Sequence, residues 1–331
     1  MNKSMYQIET LQKIINDEIA RRAEVLSARN PAELYAPVNY SLGMGGKRLR
    51  PVLLLMSFNL FSEEIENALP AALAVEVFHN FTLLHDDIMD KAEMRRNKPT
   101  VHEKFSENSA ILSGDAMAFL SYQYLMECHS KQLFDVAGLF TDTALAVCEG
   151  QQYDMDFENR LNVTEEEYLE MIRLKTAVLL GCSLKAGALL AHAGDEMASQ
   201  LYDFGINLGL AFQLQDDLLD TFGNQQSFGK KIGGDILANK KTYLLVKALE
   251  KAAENHKTEL LRWLNIMDFN AEEKISSVTE IYRQLGIKEL TEEKIDACFS
   301  QAANILHDLP VNDLRKEQLS NLSKNMLGRR F

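Results

Sequence analysis

The chain has 331 residues, a formal net charge of −13 and 46% hydrophobic residues. That composition supports a substantial core and excludes a broad basic nucleic-acid footprint. Its four cysteines (Cys128, Cys148, Cys182 and Cys298) are widely spaced with no CxxC pair, which predicts reduced thiols in a cytoplasmic protein rather than a disulfide framework or zinc ribbon.

The opening stretch MNKSMYQIETLQKIINDEIARR has no apolar signal core, and no uncharged run approaches the ~18 residues a membrane span needs. Ile8, Leu11, Ile14, Ile15 and Ile19 repeat at helical spacing and predict one face of a first helix. GMGGKRLRP (43–51) is a glycine-rich loop. ENALPAALAVEVFHNFTLLHDDIMD is a long helix, nearly apolar all round until its aspartates, and its alanines place it in the centre of the fold. KAEMRRNKPT (91–100) and GNQQSFGKKIGGD (223–235) are further loops, each adjoining a charged motif. Five of the six prolines lie at Pro99 or earlier, and none falls between 100 and 309. Helices are therefore expected almost throughout, without a linker or short-period repeat, as one all-α domain over 1–331.

Asp86, Asp87 and Asp90 close the long helix, and Asp216, Asp217 and Asp220 close LYDFGINLGLAFQLQDDLLDTF in the same DDxxD pattern. At ~100° per residue each set falls at roughly 0°, 100° and 40°, three carboxylates in one arc. Such an arc is either a solvated helix end or a site for a hard divalent cation, which compensates the repulsion. Mg²⁺ prefers a few carboxylates plus waters and phosphate oxygens to a full protein cage. Two arcs beside basic loops thus predict diphosphate binding through Mg²⁺.

The cations fit that chemistry. Lys47 and Arg50 follow glycines that admit an anion close to the backbone. Arg95 and Arg96 can make forked contacts with phosphate. Lys175 lies in the apolar RLKTAVLLG, and Lys230 and Lys240 flank the rest of GKKIGGDILANK. Taken singly, each reads equally as a surface charge. His79 forms an ExxH with Glu76, but no second ExxH exists for a di-iron bundle. It reads either as a core histidine or as lining the cavity below Asp86.

GGKRLRP, LLHDDIMD…RR, LKT, FQLQDDLLD and GK…GGD…K occur in that order, and the chain resembles the trans-isoprenyl diphosphate synthases over essentially its whole length. The resemblance implies a helical bundle around a deep apolar cavity, usually homodimeric. It also implies a reaction in which an allylic diphosphate ionises, its carbocation alkylates isopentenyl diphosphate, and a proton is lost. By the same resemblance Asp86, Asp87, Asp90, Asp216, Asp217 and Asp220 are ligands of about three Mg²⁺ ions around the allylic diphosphate. Arg95, Lys175, Lys230 and Lys240 resemble its direct contacts. Lys47, Arg50, His79 and Arg96 resemble the isopentenyl diphosphate site, with Phe212 against the hydrocarbon. Thr176 and Gln213 resemble polar groups near the developing cation. The chain departs from the common RRGKPT at Asn97, a residue that also tolerates turn geometry. Arg329 and Arg330 resemble the basic tail of some members and are not assigned to the site.

Three other classes share parts of this pattern. A class I terpene cyclase would replace the second DDxxD and would not need GGKRLRP. A non-catalytic partner subunit of a prenyltransferase should have lost charged motif residues, and none is missing. A metal-storage bundle would lack the basic loops. Product length is read from Phe78, Phe81 and Thr82, which line a path back along the helix from Asp86; Phe81 lies roughly 7.5 Å below it. Phe81 is bulky enough to form a floor, with room beside it at Thr82, though both phenylalanines also read as ordinary core. One aromatic at the fourth and fifth positions before Asp86 (Thr82 and Phe81), without an insertion in DDIMD, resembles geranylgeranyl diphosphate synthases, with farnesyl diphosphate as the alternative product.

Overall fold

The computed structural model describes residues 5–223 and 232–327. The elements in order are α1 (Ile8–Ser27), α2 (Ala32–Leu42), α3 (Leu49–Asn59), a 3₁₀ turn (Ile65–Ala68) and α4 (Leu69–Met89). A two-stranded ribbon, β1 (Met94–Arg95) with β2 (Lys98–Pro99), leads to α5 (Val101–Lys104), α6 (Glu107–Leu125) and α7 (Leu133–Glu158). Then come α8 (Glu165–Ile172), a π turn (Arg173–Ala177), α9 (Val178–Leu190) and α10 (Asp195–Phe222). After residue 232 come α11 (Gly234–Leu237), α12 (Tyr243–Lys251), α13 (Glu254–Asn265), α14 (Ala271–Gln284), α15 (Ile287–Asp308) and α16 (Asp313–Leu327). The fold is all-α, and no helix among the described residues is long and apolar enough to cross a membrane.

The chain divides into two compact units. The first holds residues 1–141, 182–202 and 310–319; the second holds 142–181, 203–309 and 320–331. The boundaries after 141, 181, 202 and 319 fall inside helices.

In the first unit α3 is the most deeply set element, with Pro51 through Asn59 all buried. Its neighbour α9 approaches so closely that a Cβ on Gly187 would stand 2.2 Å from Leu54 O, and Ser57 Oγ donates to Leu184 O at 2.5 Å. Only glycine permits that distance. On α1 the predicted face is present, with Leu11, Ile15 and Ile19 buried and Ile8 and Ile14 half-buried. Between Leu69 and Phe78 α4 is buried almost throughout, then opens to half-exposed positions as it nears Asp86. That gradient matches the change in the sequence from alanines and valines to HDD.

The second unit packs around Phe157, Tyr168, Leu214, Leu218, Leu244 and Trp263. Thr164 caps α8 in a full capping box with Glu167. The α8 helix then runs through the π turn into α9, and π turns of this kind recur at functional sites. Gly150 of α7 faces the turn: a Cβ there would lie 2.3 Å from Lys175 N and 2.8 Å from Lys175 Cα.

Candidate active site

Asp86 and Asp87 end α4 and Asp90 is its C-cap. Arg95 on β1 serves the first two. Its Nε donates to both Asp87 oxygens, at 2.7 and 2.8 Å, and its Nη2 stands 3.8 Å from Asp86 Oδ2. Burial pushes the Asp87 carboxyl above the usual carboxylate range and Arg95 partly offsets this. Next in sequence, Arg96 turns the other way and donates from Nη1 to Gly45 O. The split follows from the ribbon's two-residue loop, where Arg96 (φ 53°) and Asn97 (φ 60°) are both left-handed, the signature of a type I′ hairpin. Asn97 thus occupies a position that glycine would also suit. Tyr40 OH to Pro99 O at 2.8 Å ties the ribbon to α2, and Lys98 Nζ to Gly43 O at 3.3 Å ties it to the 43–46 loop.

Within GGKRLRP the three cations part company. Lys47 is exposed. Arg48 is buried in an ion pair with Glu76 at 2.7 Å, and also bonds Leu42 O and Asn16 Oδ1. Arg50 Nη1 donates to His79 Nε2 at 3.0 Å. Burial first, then Arg50, Arg96, Arg95 and Arg48, push the His79 imidazole well below its ordinary pKa. It is therefore neutral, with Nε2 as the acceptor and the proton on Nδ1. Burial also lowers Arg50, to about 10, where it remains charged. His79 is thus an acceptor that aims Arg50, and Glu76 belongs to Arg48 rather than to a metal.

In the second unit the DDxxD of α10 does not behave as one arc. Asp216 is half-buried. Asp217 is buried and both its oxygens are taken: Oδ1 accepts from Gln213 Nε2 at 3.1 Å, and Oδ2 accepts from Tyr168 OH and from Tyr243 N at 3.3 Å. Asp220 Oδ2 accepts from Asp235 N at 2.9 Å, and its carbonyl takes the Gly233 N–H at 2.7 Å. The π turn brings Thr176 Oγ1 within 3.1 Å of Gln213 Oε1, completing a Thr176–Gln213–Asp217–Tyr168 chain. Lys175, in the apolar RLKTAVLLG stretch, pairs through its Nζ with Asp154 at 2.5 Å. Phe212 is half-buried and Lys240 exposed. Lys230, Arg329 and Arg330 lie outside the described residues.

Along α4, Phe78 and Phe81 have ring centroids 5.4 Å apart, and Phe81 stands 4.8 Å from His85. Phe78 is buried and also meets Phe140 at 5.3 Å. Phe81 and Thr82 are half-buried, Thr82 Oγ1 bonding its own helix at His79 O. Phe78 is therefore core, and Phe81 is the less enclosed of the two rings.

A family model for polyprenyl synthetases matches residues 31–283. The chain belongs to the polyprenyl synthetase family. A geranylgeranyl diphosphate synthase of Saccharolobus solfataricus is 39% identical over 281 residues, 84% of this chain and 82% of that one. A crystal structure of a geranylgeranyl pyrophosphate synthase is 43% identical, with a TM-score of 0.93, covering 99% of this chain and 100% of that one. The Corynebacterium glutamicum geranylgeranyl pyrophosphate synthase, solved with isoprenyl diphosphate and magnesium, is 27% identical with a TM-score of 0.88, covering 98% and 100%. The protein is an enzyme, a short-chain trans-prenyltransferase.

For a polyprenyl synthetase the donor chemistry fits a hard cation. Among the described residues no three His, Cys, Asp or Glu side chains are grouped to hold a metal by themselves. Asp86 and Asp87 are adjacent carboxylates that share Arg95, at 3.8 and 2.7 Å, and carboxylate oxygens are the donor type a hard divalent cation takes, together with water and phosphate. Around each of the two motifs, residues with no local sequence signal take part. Arg48 sits in the basic motif with nothing to separate it from Lys47 and Arg50 until its pair with Glu76 is seen. Tyr168 and Asp154 lie 49 and 21 residues from their partners, with no local pattern to join them.

Proposed function

We propose that the enzyme condenses isopentenyl diphosphate with allylic diphosphates to geranylgeranyl diphosphate, and that Mg²⁺ is its cofactor. What carries this reading is the 43% identity to a geranylgeranyl pyrophosphate synthase over essentially both chains. Asp86, Asp87, Asp90, Asp216 and Asp220 hold about three Mg²⁺ ions against the allylic diphosphate. Asp217, whose oxygens already take three donors, holds Tyr168 and Gln213 instead. Arg95, Lys175, Lys230 and Lys240 contact that diphosphate. Lys47, Arg50 and Arg96 bind isopentenyl diphosphate, with His79 orienting Arg50 and Phe212 against the hydrocarbon. Thr176 and Gln213 face the developing cation. Bound Mg²⁺ supplies charge neutralisation for the leaving diphosphate, and the arginines and lysines add to it with fixed donors.

The test is direct. Purified protein is incubated with isopentenyl diphosphate and allylic primers of increasing length, and the dephosphorylated alcohols are separated by chromatography. Geranylgeraniol should dominate; chelation should abolish product and Mg²⁺ restore it. A cyclised hydrocarbon, or no product with any primer, would overturn the reading.

Chain length is assigned to Phe81, the less enclosed aromatic below the aspartates. Phe81→Ala is expected to move the product distribution to longer alcohols while the stability loss stays within the usual range for a truncated phenylalanine, about 3–5 kcal/mol at most. An unchanged distribution would place the floor elsewhere.

The enzyme is assigned as a homodimer in the cytoplasm, the latter supported by its four free cysteines. The dimer is supported by α7, where Phe134, Gly138, Thr141, Leu145, Cys148, Gln152 and Met155 are all exposed at alternating four- and three-residue steps. Phe134 is 87% and Leu145 59% exposed, and Leu112 and Phe119 of α6 are 59% and 77% exposed. A heptad seam of this kind is made to meet another helix. Leu145→Glu should convert a dimer to a monomer in sedimentation analysis with helical content retained. A monomeric parent protein would refute the assignment.

A further inference from the structure

The geometry points to Lys274 as a positioning residue for Lys240, acting through Asn239. This inference rests on the reading of Lys240 as a diphosphate contact.

Lys274, on α14, is only 1% exposed, although lysine is among the residues least often buried. Among the described residues no carboxylate pairs with its ammonium. Its Nζ instead donates to Asn239 Oδ1 at 2.7 Å and lies 4.3 Å from the Phe269 ring centroid. A buried ammonium is costly unless it is hydrogen-bonded, and Asn239 Oδ1 supplies that bond. What it holds is a turn. Asn239 is left-handed at φ 55°, and its Nδ2 donates to Leu264 O at 3.2 Å. Lys241 Nζ clamps the same residue from the other side, donating to Asn239 O at 3.3 Å.

Between these anchors stands Lys240. Its N–H donates to Asp235 O and its carbonyl accepts from Thr242 N, both at 2.9 Å. The backbone on each side of Lys240 is therefore fixed, while its side chain stays exposed. Asp235 in turn is tied to Asp220 of the second aspartate motif. Lys240, Asn239, Asp235, Trp263 and Lys274 are among the residues that line one small cavity, so the Lys240 turn and the buried lysine share it. Removing the Lys274 ammonium strips the Asn239 side chain of its donor, and the left-handed turn loses the contact that sets its orientation. The consequence falls on where Lys240 presents its charge.

The experiment compares Lys274→Met, Lys240→Gln and the double variant in steady-state assays with each substrate varied in turn. Lys240→Gln should raise the KM for the allylic diphosphate about tenfold or more. Lys274→Met should raise the same constant about tenfold and leave that for isopentenyl diphosphate within about twofold. The double variant should be no worse than Lys240→Gln alone, because two residues acting through one contact are not additive. Should Lys274→Met fail to fold, Asn239→Gly serves in its place: glycine keeps the positive φ and removes the acceptor. If Lys240→Gln were silent, the reading of Lys240 and this proposal would fall together. An effective Lys240→Gln beside a silent Lys274→Met, or losses that multiply in the double variant, would overturn this proposal alone. A purely structural role for Lys274 would produce that multiplication.

Discussion

Asp86→Ala and Asp216→Ala are each expected to cut turnover by about 10³-fold or more while leaving the far-ultraviolet circular dichroism near that of the parent protein. The two aspartates have the exposure a metal ligand needs. Each is half-buried, open enough to reach a cation yet shielded enough for its charge to act strongly. Asp86 has its Arg95 contact at 3.8 Å, looser than the 2.7 Å contact at Asp87. Losing Asp86 thus leaves the Arg95–Asp87 pair standing and the end of α4 folded. The chemical step suffers because the diphosphate departs with a negative charge that only a correctly held cation can neutralise. Residual activity above about a tenth of the parent value, far outside the expected loss, would remove both motifs from the metal-binding assignment.

Gly150→Ala should lower both stability and activity, although Gly150 lies inside α7 and alanine is the better helix former by about 1 kcal/mol. The tertiary term opposes that gain. The new methyl would sit 2.3 Å from Lys175 N and 2.8 Å from Leu174 C and Lys175 Cα. These are backbone atoms of the π turn, which cannot swing aside as a side-chain tip can. Overpacking of this kind costs about 1–3 kcal/mol, so the net effect is a lower Tm. The turn that shifts carries Lys175 and Thr176, which pair with Asp154 and Gln213. Turnover should therefore fall by more than the loss of folded protein explains, measured below the variant's Tm. A Gly150→Ala enzyme with raised Tm and full turnover would mean that α7 and the π turn separate without consequence.

The two DDxxD motifs, the basic loops and the all-α fold were legible because their signals are local. Helical period, proline placement and i, i+1, i+4 carboxylate spacing need only the dihedral geometry of one helix. The Asn97 position was legible too, because a type I′ loop restricts which residues fit it. What a helix's own geometry cannot say is which member of a motif is aimed outward and which is consumed inside. Lys47, Arg48 and Arg50 look alike in GGKRLRP, yet one is exposed, one is locked to Glu76 and one is aimed by a neutral His79. Asp216 and Asp217 are adjacent carboxylates, and burial gives the second three donors that metal binding would have to displace. Lys274 carries no motif at all; its partner is 35 residues away. Sequence by itself determined the kinds of groups and their helical arcs. Only tertiary packing decided the role of each, because burial, donor count and close backbone approach arise from residues distant along the chain.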